Sequence, residues 1–162
     1  MSEKNKESLG EIHLEFAKNT NHRAWELLDK KGRTPGENQE MLVAAFASLY
    51  HWEQIGTTAN TQRGYWMLSR VYLSLKKAAD ALEWAKKCLE ITDAAPAEME
   101  DFDLAFAEEG LARAYALAGD HNQARNHYER AVDLGNQIED PEDKEIFIKD
   151  LLGGNWSQFS PG

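Results

Sequence analysis

Leu68-Ser-Arg-Val-Tyr72, continuing through Ala81, Cys88 and Leu89, returns later in the chain as Leu111-Ala-Arg-Ala-Tyr115, continuing through Ala124, Ala131 and Val132. Leu68 pairs with Leu111, Arg70 with Arg113, Tyr72 with Tyr115, Ala81 with Ala124 and Cys88 with Ala131, always 43 residues apart. One offset that holds across two successive helical patterns is the mark of a repeat, and a repeated helix pair stacks into a solenoid rather than closing into a bundle.

Outward from this pair, helical spacing runs through nearly the whole chain. Leu9, Ile12, Phe16, Thr20, Ala24 and Leu27 step by three or four and predict a first helix over 8–31, with Ser8 and Glu11 as its capping box. Thr34, Pro35 and Glu37 open a second helix over 36–55, which stops at Gly56. Asn60 or Thr61 opens a third, 78–91 holds a fourth, and Pro96 starts a fifth that lasts to about Leu117. Asp120 and Gln123 cap a sixth over 121–134, and Asp140-Pro141 open a seventh that ends near Gly153. The expected fold is all-α: a right-handed α-solenoid of about three antiparallel hairpins in one domain over 1–153. It divides into a divergent hairpin (8–55), two repeats (61–92 and 96–135) and a C-terminal capping helix (140–153), followed by a tail (154–162).

Composition agrees. Ala and Leu supply 38 of the 162 residues against fifteen Val, Ile and Thr, which favours helix over sheet. Cys88 is the sole cysteine, so no intramolecular disulfide or multi-cysteine metal cluster is possible. Residues 1–10 are polar and unlike a secretory signal, and the longest apolar run, 41–47, is far too short to span a bilayer. The expected setting is the cytoplasm. The net charge of −10 is uneven: residues 1–60 carry nine acids and seven bases, 61–92 three and six, and 93–162 sixteen and five. Such an acidic chain repels phosphates and anionic lipid, so neither nucleic acid nor a membrane is an expected partner. Lys76, Lys77, Lys86 and Lys87 read as solvated helix ends.

At these residues the chain resembles the tetratricopeptide repeat family. In the second copy, Ala112, Ala124 and Ala131 are the small positions that let helices approach, Tyr115 and Tyr128 fill the space between them, and Gly119 permits the tight turn. The first copy is looser, with Lys76 in place of that glycine and Ala85 in place of the second aromatic. The period of 43 exceeds the usual 34, which implies longer helices or a longer connection around 91–99. The resemblance implies a non-catalytic protein–protein interaction module with no cofactor.

Arg63, Trp66 and Arg70 share one face of the third helix, and Phe106, Glu109 and Arg113 repeat it at the same offset. The resemblance places that face in a concave groove, where three guanidinium groups and two aromatics would suit an acidic or C-terminal peptide carboxylate. A competing reading pairs Glu109 with Arg113 at i, i+4 and leaves the arginines to the fold. Self-association is a further expectation, since Trp156 and Phe159 in the tail call for cover by the chain's own surface or by a second copy.

The alternative class is a helical enzyme binding a small molecule or metal around His51 and the aromatic N-terminal half. Trp25, Phe46, Tyr50, Trp52, Tyr65 and Trp66 could line such a site, although aromatics at helical spacing more often form core. No two of the five histidines lie four apart and no Glu-x-x-His occurs, so no metal site is expected and the histidines are read as partly exposed. Cys88, at the small position filled by Ala131 in the other copy, reads as buried packing, and no catalytic residue is assigned.

Overall fold

The computed structural model describes residues 2–162, and the residues described form helices and connections without a strand. Helix α1 spans Glu3–Asp29, α2 Pro35–Ile55, α3 Thr58–Ser74, α4 Ala78–Ala94, α5 Asp101–Ala118, α6 His121–Asn136 and α7 Pro141–Leu152. The chain is an all-α solenoid: α1 packs on α2, α3 on α4 and α5 on α6, successive hairpins stack, and α7 closes the C-terminal end.

Side-chain caps set most of the boundaries. Thr34 and Glu37 form the expected capping box, with Pro35 in the first turn of α2. Thr57 and Asn60 form another, so α3 starts three residues before Thr61. The fifth helix starts later than expected. Pro96–Glu98 is a separate 3-10 turn, and α5 begins at Asp101 because Glu100 and Asp103 cap each other's backbone N–H groups. The first helix starts earlier: it runs through Ser8 from Glu3, since no residue there breaks it. The period of 43 is thereby explained. Two 17-residue helices, α3 and α4, are separated by Leu75–Lys77 and followed by the six-residue connection 95–100.

The two repeat turns share one backbone conformation. Gly119 has φ of 82° and Lys76, its counterpart 43 residues earlier, has φ of 60°. The lysine therefore occupies a left-handed position that costs an L-residue with a Cβ roughly 1–2 kcal/mol. Small residues bring the helices together. Ala81, Ala85, Leu111 and Ala114 form one core cluster, with Tyr72 and Tyr115 packed against it. Cys88 is buried at 1% exposure beside them in α4, and its Sγ–H points to the Gln62 carbonyl at 3.6 Å. At the C-terminal end, Phe147 of α7 is fully buried against α6. A Cβ on Gly135 would lie 2.2 Å from the Phe147 ring, so only glycine lets this ring seat.

Candidate binding groove

Helices α3, α5 and α7 follow one another along one side of the stack, and their facing side chains build the candidate site. All six residues named from the repeat meet there. Trp66 and Phe106 pack edge to face with centroids 5.5 Å apart, and the Arg70 guanidinium lies 5.2 Å from the Trp66 ring. Arg70 Nη1 donates to Glu109 Oε1 at 3.0 Å, and Arg113 Nε donates to the same oxygen. Glu109 is completely buried, so one carboxylate holds two guanidinium groups away from water. Burial alone would push its carboxyl up, but Arg70 and Arg113 together hold it below the usual carboxylate range.

From α7 a second carboxylate reaches Arg70, and backbone carbonyls reach Arg113. Arg70 Nη2 donates to both oxygens of Asp150, while Arg113 Nη2 donates to the Asp150 and Gly153 carbonyls at 2.6 and 3.0 Å. Burial and repulsion from Glu109 push the Asp150 carboxyl up against the pull of the arginines. The tail completes the cover. Trp156 lies under the Arg113 guanidinium at 4.1 Å and donates its indole N–H to the Leu151 carbonyl. Phe159 is buried beside Ala116 and Ala124. The tail aromatics thus pack on the chain's own surface, and the C-terminal half of the face that α3 and α5 share is filled by α7 and the residues after it.

The N-terminal half is open. Between α1, α2, α3, α5 and α7 lies a cavity of about 440 Å³, walled chiefly by Trp25, Trp52, Trp66, Phe102, Phe106 and Ile146. Arg63 stands at its side with Nε and Nη2 each 2.9 Å from the Asp103 carboxylate, and its Nη1 makes no bond to the described residues. The Arg63 side chain is 44% exposed, unlike its buried partner Asp103.

Sequence reasoning missed Asp103, Asp150, Phe102 and Ile146. Asp103 looked like one more acid in a helix's first turn, and Asp150 pairs across 80 residues with no periodic signal. The reading of the aromatic N-terminal half as core is corrected. Tyr65 and Trp66 do pack against the core, but Trp25, Phe46 and Tyr50 are 38%, 37% and 55% exposed. His51 does not line the cavity. It lies beside His13, Phe16 and Tyr50, with its Nδ1 2.8 Å from that of His13. His127 is not a partly exposed histidine but a buried one, hydrogen-bonded to Glu108 at 2.6 Å and stacked on Tyr115. Burial pushes the Cys88 thiol well up, away from the thiolate a nucleophile needs. Among the described residues no group of three or more His, Cys, Asp or Glu is placed to hold a metal ion, and no helix is long and apolar enough to cross a membrane.

Comparison with known proteins agrees with this architecture. Two family models described as tetratricopeptide repeat match the chain, one over residues 62–94 and one over 109–142. No curated protein and no solved structure matches it.

Proposed function

Because the chain belongs to the tetratricopeptide repeat family, whose repeats generally mediate protein–protein interactions, we propose that it is a non-catalytic module holding a protein segment on its concave face. The observation that supports this reading is the open cavity of about 440 Å³ on that face. Its volume lies in the range that takes a ligand group of drug-like size, and its walls are mostly apolar. An apolar or aromatic side chain of the segment enters between Trp25, Trp66 and Phe106. Arg63 Nη1 meets a carboxylate or carbonyl beside it, so an acidic or C-terminal segment binds at Arg63. Arg70 and Arg113 shape the floor of the groove, since Glu109 and Asp150 already hold them.

Selection of peptides from a random library on the intact protein provides the test, with the fluorescence of Trp25, Trp52 and Trp66 as readout. Ile146 is 54% exposed at the cavity wall, so Ile146→Arg blocks the cavity without disturbing the core. It should weaken selected peptides about tenfold or more, the equivalent of roughly 1.4 kcal/mol. Arg63→Ala should weaken acidic peptides in low salt and matter less as salt screens the charge. Selected peptides that bind both variants as tightly as the parent would refute the reading.

A further inference from the structure

The outer face of the first hairpin carries an apolar strip that none of the described residues covers. Leu9, Ile12 and Phe16 follow one another at helical spacing on α1, and Val43 and Tyr50 do so on α2, each 43–60% exposed. Phe16 stacks on His51, with centroids 5.4 Å apart, which joins the two helices' contributions into one surface. At the edge Arg23 donates to Glu40 at 2.7 Å, so the rim of the strip is internally neutralised. The later hairpins bury the corresponding faces against their neighbours. In a stacked array a face without a neighbouring unit calls for polar residues, and this one is apolar.

We propose that a second copy of the chain covers this strip, giving a two-fold dimer through α1 and α2. The site lies away from the concave cavity and stands independently of the groove reading. Size supports a second copy. Helices of 27 and 21 residues, at 1.5 Å per residue and about 10 Å across, give the whole hairpin a face of roughly 700 Å², of which the strip at 9–16 and 43–50 is the apolar part. A standard stable interface takes roughly 600–1,000 Å² from each partner. Charge selects the partner and the geometry. Residues 1–60 are nearly neutral, with nine acids and seven bases, whereas 93–162 carry sixteen acids and five bases. A two-fold axis at the first hairpin lays apolar strip on apolar strip and holds the two acidic ends far apart. Head-to-tail stacking would instead bring the strip to the α7 end, which exposes Ile148 and Leu152 but also Glu139, Asp140, Glu142 and Glu145. Those carboxylates would lose hydration against an apolar strip. A two-fold interface is also self-complementary, so a strip that suits itself closes at two copies.

Sedimentation velocity with light scattering on the full chain decides it. At about 100 µM, above the micromolar end of affinities for interfaces of this size, the protein should run at twice its 18.4 kDa chain mass. Ile12→Lys with Phe16→Lys replaces two exposed side chains, so its helicity by circular dichroism should match the parent while its mass falls to that of one chain. Leu152→Lys, on the exposed side of α7 at the other end, should remain a dimer. A parent protein at single-chain mass overturns the proposal, as does a lysine double variant that still dimerises. Open-ended growth abolished by Leu152→Lys would assign head-to-tail stacking and overturn it equally.

Discussion

Replacing Arg70 and Arg113 together by Ala separates a groove that serves a ligand from one that serves the fold. The change strips Glu109 of both its partners. Its Oε1 loses two guanidinium donors, and its Oε2 is buried with no donor to begin with. Breaking a buried ion pair by removing one side costs about 3–5 kcal/mol, because a charge is left uncompensated. Glu109 can escape by taking up a proton, and that route sets the ceiling. From an ordinary carboxyl near 4.3, protonation at pH 7 costs about 3.7 kcal/mol at 1.36 kcal/mol per unit. The double variant should therefore lose roughly 3–4 kcal/mol at neutral pH. For a chain of this length, that corresponds to a fall of about 6–16 °C in melting temperature.

The same argument fixes the pH dependence. In the parent, the Glu109 carboxyl is held below its unfolded value. Its contribution is present above the unfolded value and is lost as pH falls through the folded one. In the variant the proton is taken up readily, so near pH 5 the escape costs only about 1 kcal/mol and the deficit should shrink accordingly. Urea denaturation of both proteins at the two pH values measures this directly. A deficit under about 1 kcal/mol at neutral pH, or one that does not narrow on acidification, would refute the buried network. If the arginines instead serve a ligand, melting stays unchanged and binding falls.

Three further outcomes follow from local geometry. Gly135→Ala should destabilise by about 1–3 kcal/mol in thermal melts, because its methyl would overlap the Phe147 ring in a filled core. Lys76→Gly should leave the fold intact and raise stability by up to about 1 kcal/mol, since only the lysine suffers in the left-handed turn. Cys88 should resist a thiol reagent in the native protein and react on unfolding; rapid native labelling would contradict its burial.

Those outcomes divide along the same line as the information in the sequence. Leu111, Ala124 and Ala131 announced the repeat because a small residue facing a large one must recur wherever one hairpin geometry recurs. Thr34 with Glu37, Asp120 with Gln123 and Asp140 with Pro141 announced helix starts because capping is local chemistry over two to four residues. The start of α5 was missed, since Pro96 also fits a 3-10 turn and the deciding Glu100–Asp103 box resembles any acidic first turn. In the groove, helical spacing placed Arg63, Trp66 and Arg70 beside Phe106, Glu109 and Arg113. It could not show that Asp150 returns to the same arginines, because that contact depends on how α7 docks. The openness around Trp25 was hidden for the same reason: apolar spacing shows which face of α1 seeks cover, not how closely α3 supplies it.

On the proposed reading, the docking of α7 also decides where along the face of α3, α5 and α7 a protein segment would bind. Arg70 and Arg113 perform the chemistry expected of carboxylate binders, and their carboxylates come from the chain itself, Glu109 for both and Asp150 for Arg70 alone. An incoming acidic segment could claim them only by lifting α7 and the tail. That would expose Phe147, Trp156 and Phe159, and returning one such ring to water costs about 1.5–3 kcal/mol. One new charged hydrogen bond offers about 1.5–3 kcal/mol in return, and Asp150 already supplies an equivalent bond. The exchange is unfavourable by roughly the burial of two or three rings. The open half asks for no such displacement. There a segment meets an existing cavity and an arginine with unused N–H groups, so the Trp25–Trp66–Phe106 end of the face offers the cheaper binding position.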